Sequence, residues 1–194
     1  MGLLTFKGGI HPNDGKSLAK DKAIVEVLPE GDLVFPLSQH IGAPAAPIVK
    51  VGDQVLKGQK IAEAGGFVSA PVYSSVSGKV KAIAPYFTPT GGKVSSIIIE
   101  NDGTYTEAER LNTRSLDLIT KEEILNLISE AGIVGMGGAG FPTRVKLSPK
   151  EPEKIEYVIA NCAECEPYIT ADYRRMLEEP EKLVEGMRII LSLF

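Results

Sequence analysis

Proline or glycine interrupts the first hundred residues every few positions, as in Gly42-Ala-Pro-Ala-Ala-Pro47, and that spacing leaves no room for a long helix. Between the interruptions lie short runs rich in β-branched residues. Ala23-Ile-Val-Glu-Val-Leu28 and Val94-Ser-Ser-Ile-Ile-Ile99 are bounded by Gly, Pro, Asn or Asp and read as strands. A weak internal echo links Pro47-Ile-Val-Lys-Val-Gly-Asp-Gln-Val55 to Pro71-Val-Tyr-Ser-Ser-Val-Ser-Gly-Lys-Val80. Each half of the echo reads as strand, tight glycine turn, strand. Residues 1–105 are therefore expected to form an all-β domain.

The grammar changes after a polar connector covering about residues 101 to 119. Thr120-Lys-Glu-Glu123 is a capping box, in which Thr120 accepts from the Glu123 backbone and the Glu123 carboxylate reaches back. Ile124, Leu125, Leu127, Ile128 and Ala131 then lie on one helical face. Gly132 is placed to end the helix in the left-handed conformation. Further on, Ile155-Glu-Tyr-Val-Ile-Ala160 reads as a buried strand. Residues 169–178 and 182–193 read as helices, with Pro180 between them. Helix, loop, strand, loop, helix, helix is α/β order. One strand cannot make a parallel sheet covered on both faces. Residues 106–194 are thus expected to be the first part of an α/β domain, cut short at Phe194.

Composition narrows the function. Apolar residues make up 43% of the 194, enough for a real core. A net charge of −4 and no tryptophan argue against a nucleic-acid partner. Two cysteines three positions apart do not make a disulfide framework, which points to a reducing compartment. No apolar run has the length of a membrane span, and the start, Met1-Gly-Leu-Leu-Thr-Phe6, is neither a signal peptide nor a myristoylation site. Membrane association is expected only through partner proteins.

Gly135-Met-Gly-Gly-Ala-Gly-Phe-Pro-Thr143 holds four glycines in nine residues. Each glycine costs backbone entropy, so neither a helix nor a strand favours such a run. It suits a place where bare backbone comes close to a phosphate, a flavin or a nicotinamide. Gly135-x-Gly137-x-x-Gly140 formally matches the dinucleotide fingerprint. That fingerprint must follow a strand and open a helix, whereas a capped helix precedes it here, so a true Rossmann site is not expected. A tight interdomain turn is the bland alternative, but four glycines are more than a turn needs. Lys146, just behind the run, could pair with a phosphate or simply be solvated.

A second unusual segment is Asn161-Cys-Ala-Glu-Cys-Glu-Pro167. Glu164 and Glu166 alternate, so on an extended segment they would share a face, and one could bond a ribose or nicotinamide. Asn161 could cap the loop backbone or bond a flavin edge. Cys162 and Cys165 form a C-x-x-C, but the flanking carboxylates disfavour the thiolate that a redox pair needs. A zinc site would need His11 and His40, which belong to the β domain, so no metal site is expected.

In the first domain, Val51-Gly-Asp-Gln-Val55, Gly58-Gln59, Ser69-Ala-Pro71 and Ser77-Gly-Lys-Val80 resemble the barrel-sandwich hybrid domains of lipoyl and biotinyl carriers. A carrier needs a lysine at the hairpin tip between Gln59 and Pro71. Only Lys60 lies there, beside Gln59, so the fold is expected without the carrier function.

Gly132-Ile-Val-Gly-Met-Gly-Gly-Ala-Gly-Phe-Pro-Thr143, followed by Asn161-Cys-Ala-Glu-Cys-Glu-Pro-Tyr168, resembles the RnfC family of the bacterial Rnf electron-transport complex. Gly8-Gly-Ile-His-Pro12 and Pro36-Leu-Ser-Gln-His-Ile-Gly-Ala-Pro44 extend the resemblance over essentially the whole chain. The two loops are also similar to the FMN- and NADH-binding flavoprotein subunit of respiratory complex I. Met136, Ala163 and Tyr168 depart from that relative, where arginine, aspartate and glycine are usual.

The resemblance implies that Gly135, Gly137, Gly138 and Gly140 lie against FMN and NADH. It implies that Lys146 and Asn161 contact FMN, that Glu166 and Phe141 position the nicotinamide nucleotide, and that Glu164 and Thr143 belong to the same pocket. The fold implied is a barrel-sandwich hybrid β domain followed by an incomplete α/β FMN/NADH-binding domain. The function implied is NADH/FMN electron entry or exit in an ion-translocating ferredoxin:NAD oxidoreductase, peripheral on the cytoplasmic face of the bacterial inner membrane beside other Rnf subunits. Two 4Fe-4S clusters would lie beyond residue 194, and these 194 residues alone are expected to bind FMN poorly or not at all. A flavin-dependent cobalamin reductase and a non-catalytic docking module of a redox complex are the alternatives.

Overall fold

The computed structural model describes residues 12–89, 91–109 and 114–194. His11, Gly8-Gly-Ile and the start at Met1 lie outside the described residues. The described residues divide into two compact units by contact: those of 28–156 with 192–194, and 12–27 with 157–191.

The larger unit is built on antiparallel strands. A four-stranded sheet has the order β1 (Asp32–Pro36), β7 (Lys93–Asn101), β6 (Gly78–Phe87), β3 (Gln54–Val55). A three-stranded sheet has the order β2 (Ala46–Pro47), β4 (Lys60–Glu63), β5 (Val72–Tyr73). Ile97 and Ile99 are fully buried, while Ser95 and Glu100 face outward. They meet Phe35, Val55, Ile61, Val76 and Val80 in one core drawn from both sheets. A register shift between Val80 and Ala82 bends β6 against β7. This is the expected barrel-sandwich hybrid. The internal echo is real at β2–β3 and β5–β6, though Gly78 stands inside β6 rather than in a turn.

The hairpin β4–β5 carries no lysine at its tip, residues 64–71. Lys60 begins β4, and its ammonium meets the Glu130 carboxylate at 2.5 Å. That hydrogen bond holds Lys60 above its ordinary lysine value. The Tyr73 hydroxyl donates to the Glu130 carbonyl, so the end of the first helix is tied to the hairpin at two points.

That helix, α1, spans Lys121–Glu130 and starts as the sequence predicts. The Thr120 hydroxyl accepts from Glu123 N–H at 3.3 Å, and Thr120 N–H donates to the Glu123 carboxylate at 2.8 Å. The bond from Thr120 holds the Glu123 carboxyl below its ordinary range. Ile124 and Ile128 carry the buried face. At the other end Gly132 takes φ +66°, with Gly132 N–H bonded to Ser129 O and Ile133 N–H to Ile128 O, a Schellman closure. Thr120→Ala removes one partner of the box and is expected to cost about 1 kcal/mol of stability. Urea denaturation of the variant against wild type checks this, and an unchanged midpoint would show that α1 does not need its cap.

The smaller unit differs from what the sequence predicts. Ala23–Leu28 and Ile155–Ala160 are not strands. Val25, Val27, Tyr157 and Ile159 are each at least 78% exposed. A strand must hand its N–H and C=O groups to neighbours. No described strand flanks either run, so β-branched composition alone does not make one. Helices α3 (Ala171–Glu178) and α4 (Pro180–Leu191) do form, with Pro180 as the first residue of α4. Residues 12–27 lie along this unit as an arm. Ile24 N–H donates to the Glu178 carboxylate at 3.1 Å, and the Arg174 guanidinium donates to Lys20 O at 3.2 Å.

Candidate functional site

The glycine run is neither a Rossmann loop nor a simple turn. Val134 and Pro142 face each other in an antiparallel bridge. Gly135 N–H donates to Phe141 O at 2.8 Å, and Thr143 N–H donates to Ile133 O at 3.0 Å. Residues 136–140 are thereby held as the tip of a short hairpin. Helix α2, Thr143–Lys146, follows at once. The Arg144 guanidinium ties α2 back to α1 through Asn126 Oδ1 at 2.7 Å and the Glu122 carboxylate at 3.1 Å.

The four glycines do different work. A Cβ at Gly140 would lie 2.7 Å from Gln39 O and 3.0 Å from His40 Cα, and φ there is +61°. Gly140 lets the hairpin seat against the loop that follows β1. A Cβ at Gly135 would make only ordinary contact, at 3.7 Å. At Gly137 and Gly138 a Cβ would meet nothing within 4 Å. At Gly137 neither packing nor conformation requires bare backbone, whereas φ +150° at Gly138 itself favours glycine. Backbone without side chains on an open face fits a flat ring lying on it, so the residues present suit a flavin.

Phe141 is 39% exposed, Pro142 is buried, and Thr143 opens α2. Lys146 stands exposed at the end of α2. These residues and the glycines lie on one continuous segment of the larger unit.

The polar loop belongs to the smaller unit. Asn161 caps its own loop, its Oδ1 accepting from Ala163 N–H at 3.0 Å. Glu164 and Glu166 do not share a face. The Glu164 side chain is 7% exposed; it accepts from Asp172 N–H at 3.1 Å, at the start of α3, with Lys16 Nζ at 3.9 Å. Glu166 is exposed. Alternation holds only on a regular strand, and this loop is irregular. Sequence reasoning missed Lys16. Its ammonium donates to Glu166 O at 3.1 Å and Ile169 O at 2.7 Å, fixing the backbone that carries Glu166. No sequence signal marks a lysine 150 residues away as a brace. A hollow of about 390 Å³ opens between Asn161, Cys162 and the residues Arg175, Glu179 and Lys182 of the following segment. Cys162 and Cys165 are both free and exposed.

Among the described residues no group of three or more His, Cys, Asp or Glu side chains is placed to hold a metal ion. His40 is instead a buried loop residue. Its Nδ1 lies 3.2 Å from Ile41 O, and its Nε2 lies 3.1 Å from both Ala70 N and Ala70 O. No described helix is long and apolar enough to cross a membrane.

Comparison with known proteins places both regions. Residues 4–104 match the family model described as the RnfC barrel sandwich hybrid domain. Residues 128–194 match the Nuo51 FMN-binding domain. The chain is 50% identical over 193 residues to the C subunit of the proton-translocating ferredoxin:NAD(+) oxidoreductase complex of Clostridium ljungdahlii, covering 98% of this chain and 42% of that protein. It is 43% identical over 189 residues to the Na(+)-translocating counterpart of Acetobacterium woodii, covering 97% and 43%. It is 38% identical over 190 residues to the C subunit of the ion-translocating oxidoreductase complex of Haemophilus influenzae, covering 97% and 29%. The chain spans less than half the length of these relatives. With the barrel match alone covering more than half of its residues, and the sheets of that barrel in place, the chain belongs to the RnfC family.

Proposed function

We propose that this chain provides the first part of an NADH/FMN electron-entry or exit site in an ion-translocating ferredoxin:NAD oxidoreductase. The carrying observation is the hairpin tip. Gly137 offers open backbone that neither the chain's packing nor its conformation needs, with Gly138 open beside it, inside the segment that matches an FMN-binding domain. The domains proposed are a barrel-sandwich hybrid over residues 1–105 and the beginning of an FMN/NADH-binding α/β domain over 106–194. The ends of the two family matches support that division.

In this proposal the FMN supplies the redox chemistry, exchanging two electrons with NAD(H) and passing them on singly, while the protein supplies position and electrostatics. The hairpin at Gly135, Gly137, Gly138, Gly140 and Phe141 presents backbone to the flavin and nucleotide, and Thr143 continues the same wall. Lys146 offers a cation for phosphate, and Asn161 shapes the polar loop. Glu164 holds that loop to α3. Glu166, exposed on backbone that Lys16 grips, accepts from a ribose hydroxyl or the carboxamide of NAD(H). The iron–sulfur clusters that take electrons one at a time are proposed for the part of the protein beyond residue 194. The names of the relatives support partners within a multi-subunit complex. Peripheral attachment on the cytoplasmic face through those partners is part of the same proposal.

Gly137→Ala in the complete protein is the test. The chain has room for the added methyl, so thermal stability without FMN is expected within about 0.5 kcal/mol of wild type. FMN affinity is expected to fall at least about tenfold, the cost of a few lost contacts at a close approach. Fluorescence titration with FMN measures it. A complete protein that takes up no FMN, or a Gly137→Ala variant that binds it as wild type does, would sink the proposal.

A further inference from the structure

We infer that the β domain is a working part of the flavin site, with His40 as the positioning residue that sets the glycine hairpin. This rests on the flavin reading of that hairpin. The hairpin β4–β5, which presents a cofactor arm in carrier domains, is here folded onto the loop after β1. Ala43 N–H donates to Val68 O at 2.9 Å. The Ser69 hydroxyl donates to Ala43 O at 2.8 Å and accepts from Gly65 N–H at 2.9 Å. Gly42 has φ +100°, and a Cβ there would lie 2.0 Å from Val68 O, so the two segments touch backbone to backbone. The loop after β1 in turn holds the glycine hairpin. Ile41 N–H donates to Ala139 O at 3.0 Å, and Gly140 seats against Gln39 and His40.

His40 is the joint between these two contacts. It is 7% exposed and, with its proton on Nδ1, bonded at both ring nitrogens: Nδ1 donates to Ile41 O at 3.2 Å and Nε2 accepts from Ala70 N–H at 3.1 Å. Ile41 is the residue whose N–H holds the hairpin. A buried polar ring bonded at both ends fixes the backbone on either side of it. The ring thus holds the carbonyl of the same residue whose N–H grips Ala139, so Ile41 shifts only if a bond to the ring breaks. His40 touches no part of the proposed flavin surface at Gly137 and Gly138. Its effect passes through Ile41 and Ala139.

The test uses the complete protein, with and without FMN. Amide hydrogen exchange is read at Ile41 and over residues 135–143 in the FMN-free protein, and FMN affinity is read separately. In His40→Ala both the Ile41 amide and the hairpin amides should exchange about tenfold faster, and FMN affinity should fall by about the same factor. His40→Gln, whose amide can reach Ala70, should recover part of both. Ser69→Ala acts on the same loop without touching the ring. It should give a smaller change in the same direction, and it carries the test if His40→Ala does not fold. Unchanged exchange over residues 135–143 in a folded variant overturns the inference, as does unchanged FMN affinity. If the wild-type complete protein holds no FMN, the proposed function fails, yet exchange at the hairpin still decides the role of His40.

Discussion

Gly78→Val should leave little of the barrel folded. Gly78 opens β6 and sits between two partners in the sheet, Val55 on β3 and Asn101 on β7. Its φ is +153°, and a Cβ there would lie 2.0 Å from Glu100 O, 3.0 Å from Glu100 C and 3.2 Å from Asn101 Cα. All three are backbone atoms of the strand it must pair with, so no flexible side chain can move aside. Ser77 beside it is buried, and its hydroxyl bonds Asp102 and accepts from Thr106 N–H, which pins the approach to β6. A β-branched residue held in so sparsely populated a backbone region costs about 1–3 kcal/mol, and overpacking adds about 1–3 kcal/mol. Their sum is a large part of the roughly 5–15 kcal/mol that holds a domain together. Gly91→Val is the control, because Gly91 has φ +84° but a Cβ there would meet nothing within 4 Å. It should lose only the strain. Urea denaturation followed by far-ultraviolet circular dichroism compares the two. A Gly78→Val midpoint equal to that of Gly91→Val would show that β6 and β7 can part at this end without cost.

Local signals in the sequence carried far where the physics is local. The capping box at Thr120 and the left-handed stop at Gly132 each depend on four or five consecutive residues, and both are present as read. Ile97 and Ile99 of β7 are fully buried and Ile98 between them is not, because successive residues of a paired strand face opposite sides. The same β-branched composition misleads at Ala23–Leu28 and Ile155–Ala160. Whether such a run becomes a strand depends on a partner elsewhere in the chain, and composition carries no information about that partner. The glycine run shows the same limit within one motif. Its composition announces close approach, but the sequence does not tell which glycine faces its own chain and which faces outward. Gly140 does the first, and Gly137 and Gly138 do the second. His40 and Lys16 escape sequence reading as positioning residues because their partners, at Ala70 and at Glu166 and Ile169, are backbone carbonyls or amides. Any residue can offer those groups, so no residue type marks them.

Gly140→Ala should empty the flavin site of the complete protein from behind. The methyl would sit 2.7 Å from Gln39 O and 3.0 Å from His40 Cα, on backbone that the His40 ring holds in place. Either the hairpin lifts away and the bond from Ile41 N–H to Ala139 O breaks, or the loop after β1 moves and a buried ring loses its partners. Both routes cost about 1–3 kcal/mol, to which φ +61° adds the left-handed penalty of about 1–2 kcal/mol for alanine. Displacing the hairpin moves Gly137 and Gly138 with it, so FMN affinity should drop about a hundredfold, equivalent to ~3 kcal/mol. Gly140→Asn separates the two causes. Asparagine tolerates the left-handed region better than alanine does, but it carries the same Cβ into Gln39 and His40. If contact dominates, Gly140→Asn should bind FMN as poorly as Gly140→Ala. If strain dominates, it should recover most of the affinity. Gly137→Ala, three residues away in the same run, is expected to leave FMN-free stability untouched and lose only the ligand. A Gly140→Ala protein with wild-type stability and wild-type FMN affinity would mean that the hairpin does not depend on its seat against the β domain, and the division of labour among these glycines would have to be abandoned.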